Sequence, residues 1–151
     1  GIRDDGYDAD WVPCASCMHP IFDEKIETKH DVVFFMNSNM ANANHFMPKD
    51  LDPSCIMGNT KSSIEDVVSF LASGDTVVTS SFHGAYWATL LGKKVITIPT
   101  SSKFYSMRHP APLSSASDWM RFRKLARSYD EALHECREAN ISFKNKVLNL
   151  F

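Results

Sequence analysis

The chain has 151 residues and a formal net charge of −2, with 44% of its residues hydrophobic and 23% charged. These values are ordinary for a folded globular chain and the length suits one domain, so extensive disorder is excluded and we expect a single domain over residues 1–151. The nearly balanced charge gives no general attraction to nucleic acid, and no apolar run is long enough to span a membrane, so we predict neither a nucleic-acid partner nor a transmembrane segment.

Residues 1–30 are predicted to form an irregular N-terminal segment, because glycine, aspartate and proline residues interrupt them throughout. The segment contains Cys14 and Cys17 in a CxxC arrangement, while Cys55 and Cys136 stand alone. This pattern does not match a secreted disulfide framework and favours structural thiols in a reducing cytoplasm, with a metal pair and a redox pair as alternatives. We therefore expect a cytoplasmic location, with peripheral contact to a membrane left open.

Two short strands are predicted in the first half of the chain. Residues 31–36 (DVVFFM) are almost continuously apolar, which is typical of a central strand buried on both faces of a parallel sheet. Residues 55–58 form the second predicted strand. Between them, residues 37–53 are polar and rich in asparagine, and because they follow the carboxyl end of a strand they can overhang a ligand crevice.

Residues 62–73 are predicted to form a helix that lies on the sheet. Its apolar residues recur with the spacing of one helix face, at Ile64, Val67, Val68 and Leu71. We expect Ser62 and Glu65 to form a capping box at its start and Gly74 to end it.

Residues 74–99 have the pattern of a strand, a helix and a second strand. The strands are predicted at 76–79 and 94–98, and the helix at 83–91, where Gly92 suits the end of a helix. Two buried strands joined by a helix pair in parallel through a right-handed crossover. The whole order predicts an α/β fold, specifically a Rossmann-like three-layer domain with a mostly parallel sheet. There is no GxGxxG motif, so a dinucleotide site is not indicated.

The turn between this strand and this helix is the strongest candidate for a functional site. It holds Ser80, Ser81, His83 and Gly84 at a helix N-terminus, where free amides and the helix dipole attract anions. We predict that one serine caps the helix and the other is free for a ligand, and that Gly84 lets an anion approach the backbone. His83 is the predicted catalytic residue, because an imidazole there can hydrogen-bond a phosphate or carboxylate oxygen or transfer a proton.

The last third of the chain adds positive charge and a final helix. Lys103 and Arg108 follow the last strand on the predicted ligand side. Residues 119–127 carry four basic residues, which we interpret as a solvated helix face. Residues 129–151 are predicted to form a C-terminal helix opened by a capping box of Ser128 and Glu131. Its apolar stripe either packs on the sheet or forms an interdomain or dimer surface. Histidine and acidic residues are scattered, so no metal site is predicted.

The segment Ser80-Ser81-Phe82-His83-Gly84, followed by an alanine-containing helix and LLGKKV, resembles the Ser-x-x-His-Gly segment of the polysaccharide pyruvyl transferase family. Ile2-Arg3-Asp4 and Ser102-Lys103-Phe104 are similar to flanking elements of that family. Its members resemble GT-B glycosyltransferases in fold and move a pyruvyl group from phosphoenolpyruvate to sugar hydroxyls. The resemblance extends over most of the chain, and its most specific part is the His-Gly segment.

The resemblance implies one half of a GT-B fold, with a second domain or a homodimer completing the active site. It implies a transferase of surface-polysaccharide biosynthesis with a polysaccharide or glycolipid acceptor and no cofactor. It also implies catalysis by His83 and donor binding by the following residues: Ser80, Ser81, Gly84, Lys103, Arg108 and Arg3.

One departure from the family bears on the donor. Pyruvyl transferases typically have a basic residue just before the Phe/Leu-His-Gly, where this chain has Ser81. Lys103 or Arg108 can replace that charge, or the donor can be a nucleotide sugar, whose diphosphate also suits a helix N-terminus. A further alternative is a non-catalytic domain that binds an anion or a nucleotide.

Overall fold

A computed structural model of the protein describes residues 9–37, 47–48, 50–60 and 62–151. Four parallel strands form one sheet in the order β2-β1-β3-β4. The strands are β1 (His30–Met36), β2 (Ile56–Gly58), β3 (Gly74–Thr79) and β4 (Lys94–Thr97). The helices are α1 (Ile64–Ala72), α2 (Phe82–Leu90), α3 (Trp119–Phe122) and α4 (Ala132–Leu148). This architecture confirms the predicted α/β, Rossmann-like fold.

The two central strands are buried on both faces of the sheet. The last four residues of β1 and the last four of β3 are all buried. This burial explains why both strands consist of continuous apolar or β-branched runs. The strands lie in register with Val33 beside Val77 and Val77 beside Val95. Alternate residues of each strand therefore face opposite layers of the domain.

Each face of the sheet carries its own hydrophobic core. On one face Val33, Phe35 and Val77 pack against α1 and α2 through Leu71 and Ala88. The other face packs against α3 and the segment before β2, through the following residues: Phe34, Met36, Val78, Ile96, Met47 and Trp119. The domain therefore has the three layers that the strand and helix order predicts.

The N-terminus of α1 lies one residue later than predicted. Ser63, not Ser62, is the N-cap, and its side chain forms the capping box with Asp66. The sequence offers the motif in two registers, Ser62 with Glu65 and Ser63 with Asp66, and the structure uses the second. Gly74 stands directly after the C-cap Ser73, where the prediction ends the helix, but it already begins β3 and does not have a positive φ. Gly92 does follow α2 with a φ of 66°, as expected of a helix C-terminus.

The C-terminal helix α4 begins without the predicted capping box. Glu131 is its N-cap and makes no side-chain capping bond, so the pairing of Ser128 with Glu131 is wrong. Tyr129 instead positions the helix start, because its hydroxyl donates to the Pro110 carbonyl and its own carbonyl accepts the Ala132 amide. The chain is thus anchored by tertiary contacts where the sequence suggests a local cap.

Only the first half of α4 packs on the rest of the domain. Cys136 is buried, and Arg137 binds both carboxylate oxygens of Asp23 at 2.6 and 3.0 Å, which ties the N-terminal segment to the helix. Farther along, Phe143 and Val147 are exposed. The predicted stripe therefore contacts the domain as far as Asn140, which donates to the Pro13 carbonyl, and beyond it the ion pair of Lys146 with Asp10 holds the exposed second half. No helix within the described part of the chain is both long and apolar enough to cross a membrane.

The first turn of α2 approaches the sheet very closely at Gly84. A Cβ added there would lie 2.4 Å from Phe35 Cδ1 and 2.6 Å from Thr79 Oγ1. Both neighbours are buried in β1 and β3, so neither can move aside without disturbing the core. Glycine is therefore required at this position for packing between the helix and the sheet.

We expect the substitution Gly84→Ala to lower the free energy of unfolding by about 1–3 kcal/mol, because the new methyl group overpacks the helix–sheet contact. The neighbouring His83→Ala, on an exposed position of the same turn, is the control and should change stability by less than about 0.5 kcal/mol. Urea unfolding followed by circular dichroism measures both values. Equal stability of the two variants would contradict the close contact.

Candidate functional site

The order of the strands creates a crevice between β1 and β3 at their carboxyl ends. The chain leaves β1 toward β2 on one side of the sheet, and it leaves β3 toward β4 on the other. Accordingly Met47 and Leu51, from the first connection, pack on one face, whereas α2 packs on the other. Open parallel sheets bind ligands where the strand order reverses in this way.

Side chains at the strand ends form a hydrogen-bonded floor for this crevice. The backbone amide of Asn37 donates to Ser80 Oγ at 3.0 Å, and Thr100 Oγ1 donates to the Ser80 carbonyl at 3.2 Å. Ser80 is only 1% exposed, so its hydroxyl links the ends of β1 and β3 and is not the free ligand contact that we expected. Asn37 Oδ1 is buried and has no hydrogen-bond partner among the described residues.

Ser81 is the serine that caps α2. Its Oγ accepts the Gly84 amide at 3.3 Å, and its own amide donates to Thr79 Oγ1 at 3.0 Å. Because the Gly84 amide is used by the cap and its α-carbon faces Phe35, Gly84 acts here in packing and does not open the backbone to an anion. The amides of Phe82 and His83 precede the first intrahelical hydrogen bonds and remain for solvent or a ligand.

The imidazole of His83 is exposed at the edge of a pocket of about 290 Å³, named here the His83 pocket. Its ring lies 5.3 Å from the ring of Trp87 and 6.0 Å from that of Phe82. The imidazole therefore has aromatic neighbours on two sides and remains open to solvent. The described residues that line the pocket are Phe35, Asn59, Ser62, Ser63, Ile64, Val67, Ser81, His83 and Trp87.

The positive potential of the His83 pocket comes from backbone dipoles. The caps of α1 and α2, Ser63 and Ser81, both line it, so two helix N-termini converge on one cavity. At α1 the carboxylate of Asp66, which closes the capping box, offsets part of this potential. Among the described lining residues there is no lysine or arginine. Of the two helix N-termini that line the pocket, the start of α2 is therefore the one whose positive end is not offset by a capping carboxylate.

The structure does not bring the predicted cationic residues into the His83 pocket. Lys103 is exposed on a short 3-10 helix (Ser102–Ser106), whose Phe104 ring packs 5.9 Å from that of Phe82. Arg108 lines a different cavity, where its Nε donates to Glu135. Arg3 lies outside the described residues, so its predicted contact with a donor stays a prediction.

Several residues that shape the site carried no motif in the sequence. Asn37 and Thr100 lie just past the carboxyl ends of β1 and β4, and that position is the only signal that could have indicated them. Asn59 follows β2 in the same way, and its backbone amide donates to the Met36 carbonyl. Trp87 is one turn after His83 on α2, and its Nε1 donates to Ser16 Oγ at 2.9 Å.

All four cysteines are free thiols, and three are buried. Burial raises the pKa of Cys136 to about 11 and also raises that of Cys55, so both thiols stay protonated near neutral pH. Cys14 is exposed, whereas Cys17 is fully buried. Within the part of the chain that the structure describes, no group of three histidine, cysteine or acidic side chains could hold a metal ion.

The fold and the site together define an α/β protein with a cavity at the carboxyl edge of a parallel sheet, lined by two helix N-termini. The model of one family, described as polysaccharide pyruvyl transferase, matches residues 19–102, which is more than half of the chain. The chain belongs to the polysaccharide pyruvyl transferase family, and this membership indicates a transferase. The match includes the whole sheet and His83 and ends before Lys103 and Arg108. Comparisons with curated proteins and with solved structures give no significant match.

The exposure of the thiols predicts selective alkylation. Iodoacetamide at pH 8 should modify Cys14 in the folded protein, and the other three thiols should react only after denaturation, because they are buried. Mass spectrometry of proteolytic peptides identifies the modified residues. Equal labelling of Cys17 and Cys14 in the native state would show that the N-terminal segment does not pack against α4.

The ion pairs of Glu135 predict a loss of stability in acid. A hydrogen bond from Arg108, supported by one from His109, lowers the pKa of Glu135 below its usual 4.5. The folded state therefore gains stability from this carboxylate above the unfolded pKa and loses it as the pH falls through the lower folded pKa. Melting temperatures measured from pH 6 to pH 3 should fall less steeply for Glu135→Gln than for the wild type.

The control for this measurement is Glu138→Gln, an exposed position on the same helix. This variant should retain the wild-type pH dependence. The same slope in all three proteins would show that the Glu135 contacts do not contribute to the stability of the fold.

Proposed function

We propose that this protein is a transferase of surface-polysaccharide biosynthesis that moves a pyruvyl group from phosphoenolpyruvate to a sugar hydroxyl. Family membership supports the reaction class. One observation carries the assignment of the site: the exposed imidazole of His83 lies in the first turn of α2, at the carboxyl end of β3, beside the N-terminus of α1. We assign the His83 pocket as the donor site.

Phosphoenolpyruvate suits the chemistry of this pocket. The molecule is small and carries two anionic groups, a carboxylate and a phosphate, and the pocket presents two helix N-termini within about 290 Å³. The amides of Phe82 and His83 can donate to one of these groups. Helix ends bind carboxylate and phosphate oxygens without needing a fully charged side chain for each.

The reaction also needs a proton at a defined atom. A pyruvyl ketal has a methyl group where phosphoenolpyruvate has a methylene, so C3 must gain a proton while C2 gains bonds to the acceptor oxygens and loses phosphate. The two acceptor hydroxyls release two protons as these bonds form; one balances the proton gained at C3, and the departing phosphate takes up the other. His83 is the exposed acid–base group of the pocket, and we assign it either to proton transfer or to a hydrogen bond on the departing phosphate.

We further propose that the pocket forms one part of the complete active site. Lys103 and Arg108 do not line it, and Ser81 occupies the position where relatives typically have a basic residue. In a GT-B arrangement a second domain or a second copy faces this edge of the sheet and can supply the missing cation, as can Arg3. The proposed acceptor is a polysaccharide or a glycolipid, and the proposed location is the cytoplasm, with peripheral membrane contact left open.

The lack of lysine and arginine among the described lining residues also favours an alternative donor. A nucleotide sugar places a diphosphate on the helix N-terminus and derives much of its affinity from the base and the sugar. The chain would then be a GT-B-type glycosyltransferase domain. A domain that binds an anion or a nucleotide without catalysis would show the same binding and no turnover.

Calorimetric titration with phosphoenolpyruvate, a UDP-sugar and a GDP-sugar tests the proposal. We expect heat for phosphoenolpyruvate and no heat for phosphoenolpyruvate with His83→Ala, while the melting temperature of the variant stays close to that of the wild type because the ring is exposed. His134→Ala, which removes an exposed histidine of α4, is the matched control and should bind like the wild type.

The three tryptophans locate the binding site in a parallel titration followed by NMR spectroscopy. In a spectrum of the indole N–H groups, phosphoenolpyruvate should shift the signal of Trp87, which lines the His83 pocket, and leave that of Trp119, on the other face of the sheet, unchanged. Heat from a nucleotide sugar alone would support the glycosyltransferase alternative. No heat from any donor, or a large loss of stability in His83→Ala, would overturn the assignment of the site.

A further inference from the structure

A separate cavity lies beside α2, and among the described residues it shares no lining residue with the His83 pocket. This cavity, named here the Trp11 pocket, measures about 290 Å³ and lies between α2 and two loop segments, residues 11–14 and 106–109. Its walls are mainly apolar and include three aromatic rings. The residues that form these walls are Trp11, Val12, Pro13, Phe82, Tyr86 and Met107.

The hydroxyl groups in the Trp11 pocket are already used as donors. Tyr86 donates to the Cys14 carbonyl at 2.9 Å, Thr89 donates to the Ala85 carbonyl at 2.9 Å, and the Ser106 hydroxyl donates to the Lys103 carbonyl. A hydroxyl has one proton, so these groups can offer a ligand only lone pairs. The pocket is therefore poorly suited to a sugar, which needs donors as well as acceptors.

Arg108 provides the main source of free donors in this cavity. Its guanidinium carbon lies 4.8 Å from the centre of the Trp11 ring, and its Nε donates to Glu135 Oε2 at 3.2 Å. These two contacts fix the orientation of the guanidinium plane. Among the described residues, the hydrogen bond of Nε to Glu135 is the one that this guanidinium makes, so its two Nη groups are available as donors. A guanidinium held in this way is suited to a planar carboxylate, which accepts two parallel hydrogen bonds.

The contacts of Arg108 with its neighbours engage its Nε and leave its Nη groups for an anion. Glu135 is the carboxylate in contact with it, and the same oxygen of Glu135 lies 3.1 Å from His109 Nε2. Two basic groups thus share one carboxylate. The His109 ring itself packs against Trp11 and Tyr129, at centroid distances of 6.5 and 5.2 Å, and so supports the aromatic wall.

We propose that the Trp11 pocket binds a small aromatic carboxylate, with its ring against the aromatic wall and its carboxylate on the Nη groups of Arg108. The apolar wall recognises the ring, and the oriented guanidinium recognises the acid. The cavity volume matches a molecule of one or two rings. This site is independent of the donor assignment for the His83 pocket, because the two cavities have no described lining residue in common.

The test uses 1-naphthoate and its neutral analogue 1-naphthalenemethanol as probes of the intact chain. Calorimetry should show that naphthoate binds at least about 10-fold more tightly than the alcohol, which is the contribution of one charge-assisted contact. Naphthoate should shift the indole N–H signal of Trp11 and leave that of Trp87, in the other pocket, unchanged. This readout separates the site from the donor site.

Variants of Arg108 test the role of the guanidinium. Arg108→Gln should lose the preference for the acid over the alcohol, and Arg108→Lys should retain a smaller preference, because lysine keeps the charge without the planar pair of donors. Arg121→Gln, which removes an arginine whose side chain is 83% exposed on α3, is the matched control and should leave binding unchanged. Val12→Trp should block both probes by filling the cavity from an exposed position.

Three outcomes would overturn the proposal. The first is no binding of either probe to the wild type. The second is equal affinity for the acid and the alcohol. The third is an unchanged preference in Arg108→Gln, which would show that the contact of Arg108 with Glu135 serves only to fasten the loop to α4.

Discussion

The side chain of Thr79 holds the start of α2 against the sheet, and the rest of the site depends on this contact. Thr79 Oγ1 donates to the Phe35 carbonyl at 2.6 Å and accepts the Ser81 amide at 3.0 Å, so one buried hydroxyl joins β1, the end of β3 and the helix cap. Gly84 permits the approach, because a side chain there would collide with Phe35 and with Thr79 itself. The exposed position of His83 follows from this packing, since its immediate neighbour on the helix is fixed against the core.

The same turn of α2 separates two cavities of different chemical character. The His83 pocket is bounded by serine side chains and helix N-termini, which favour a small anion. The Trp11 pocket is bounded by aromatic rings and one oriented guanidinium, which favour a larger apolar molecule with an acidic group. The rings of Phe82 and His83 are in edge contact at 6.0 Å, so adjacent residues of one helix turn contribute to the two sites.

The N-terminal segment is part of this arrangement even though its described residues before β1 form no strand. Its 3-10 helices pack on α4 through Cys17, Ile21 and Phe22, and Arg137 binds both the Cys17 carbonyl and Asp23. Contacts from this segment reach α2 as well, since Trp87 donates to Ser16 and Tyr86 donates to the Cys14 carbonyl. These contacts suit a structural role for Cys17 and Cys136, the interpretation favoured from the sequence, because both thiols lie in a hydrophobic cluster that joins the N-terminal segment to α1, α2 and α4.

The sequence alone determined the fold class and the position of His83, because buried parallel strands and a capped helix leave local patterns in residue type and spacing. Tertiary structure decided that Ser80, the serine that does not cap α2, is not free for a ligand, since its burial beside Asn37 is a contact between residues 43 positions apart. It also decided that Arg108 and His83 lie in different cavities. The start of α1 depended on tertiary structure too, because the competing caps at Ser62 and Ser63 are equivalent in the local sequence and only packing distinguishes them. Spacing along a chain records periodic burial, whereas the partners of a polar side chain depend on how distant segments meet.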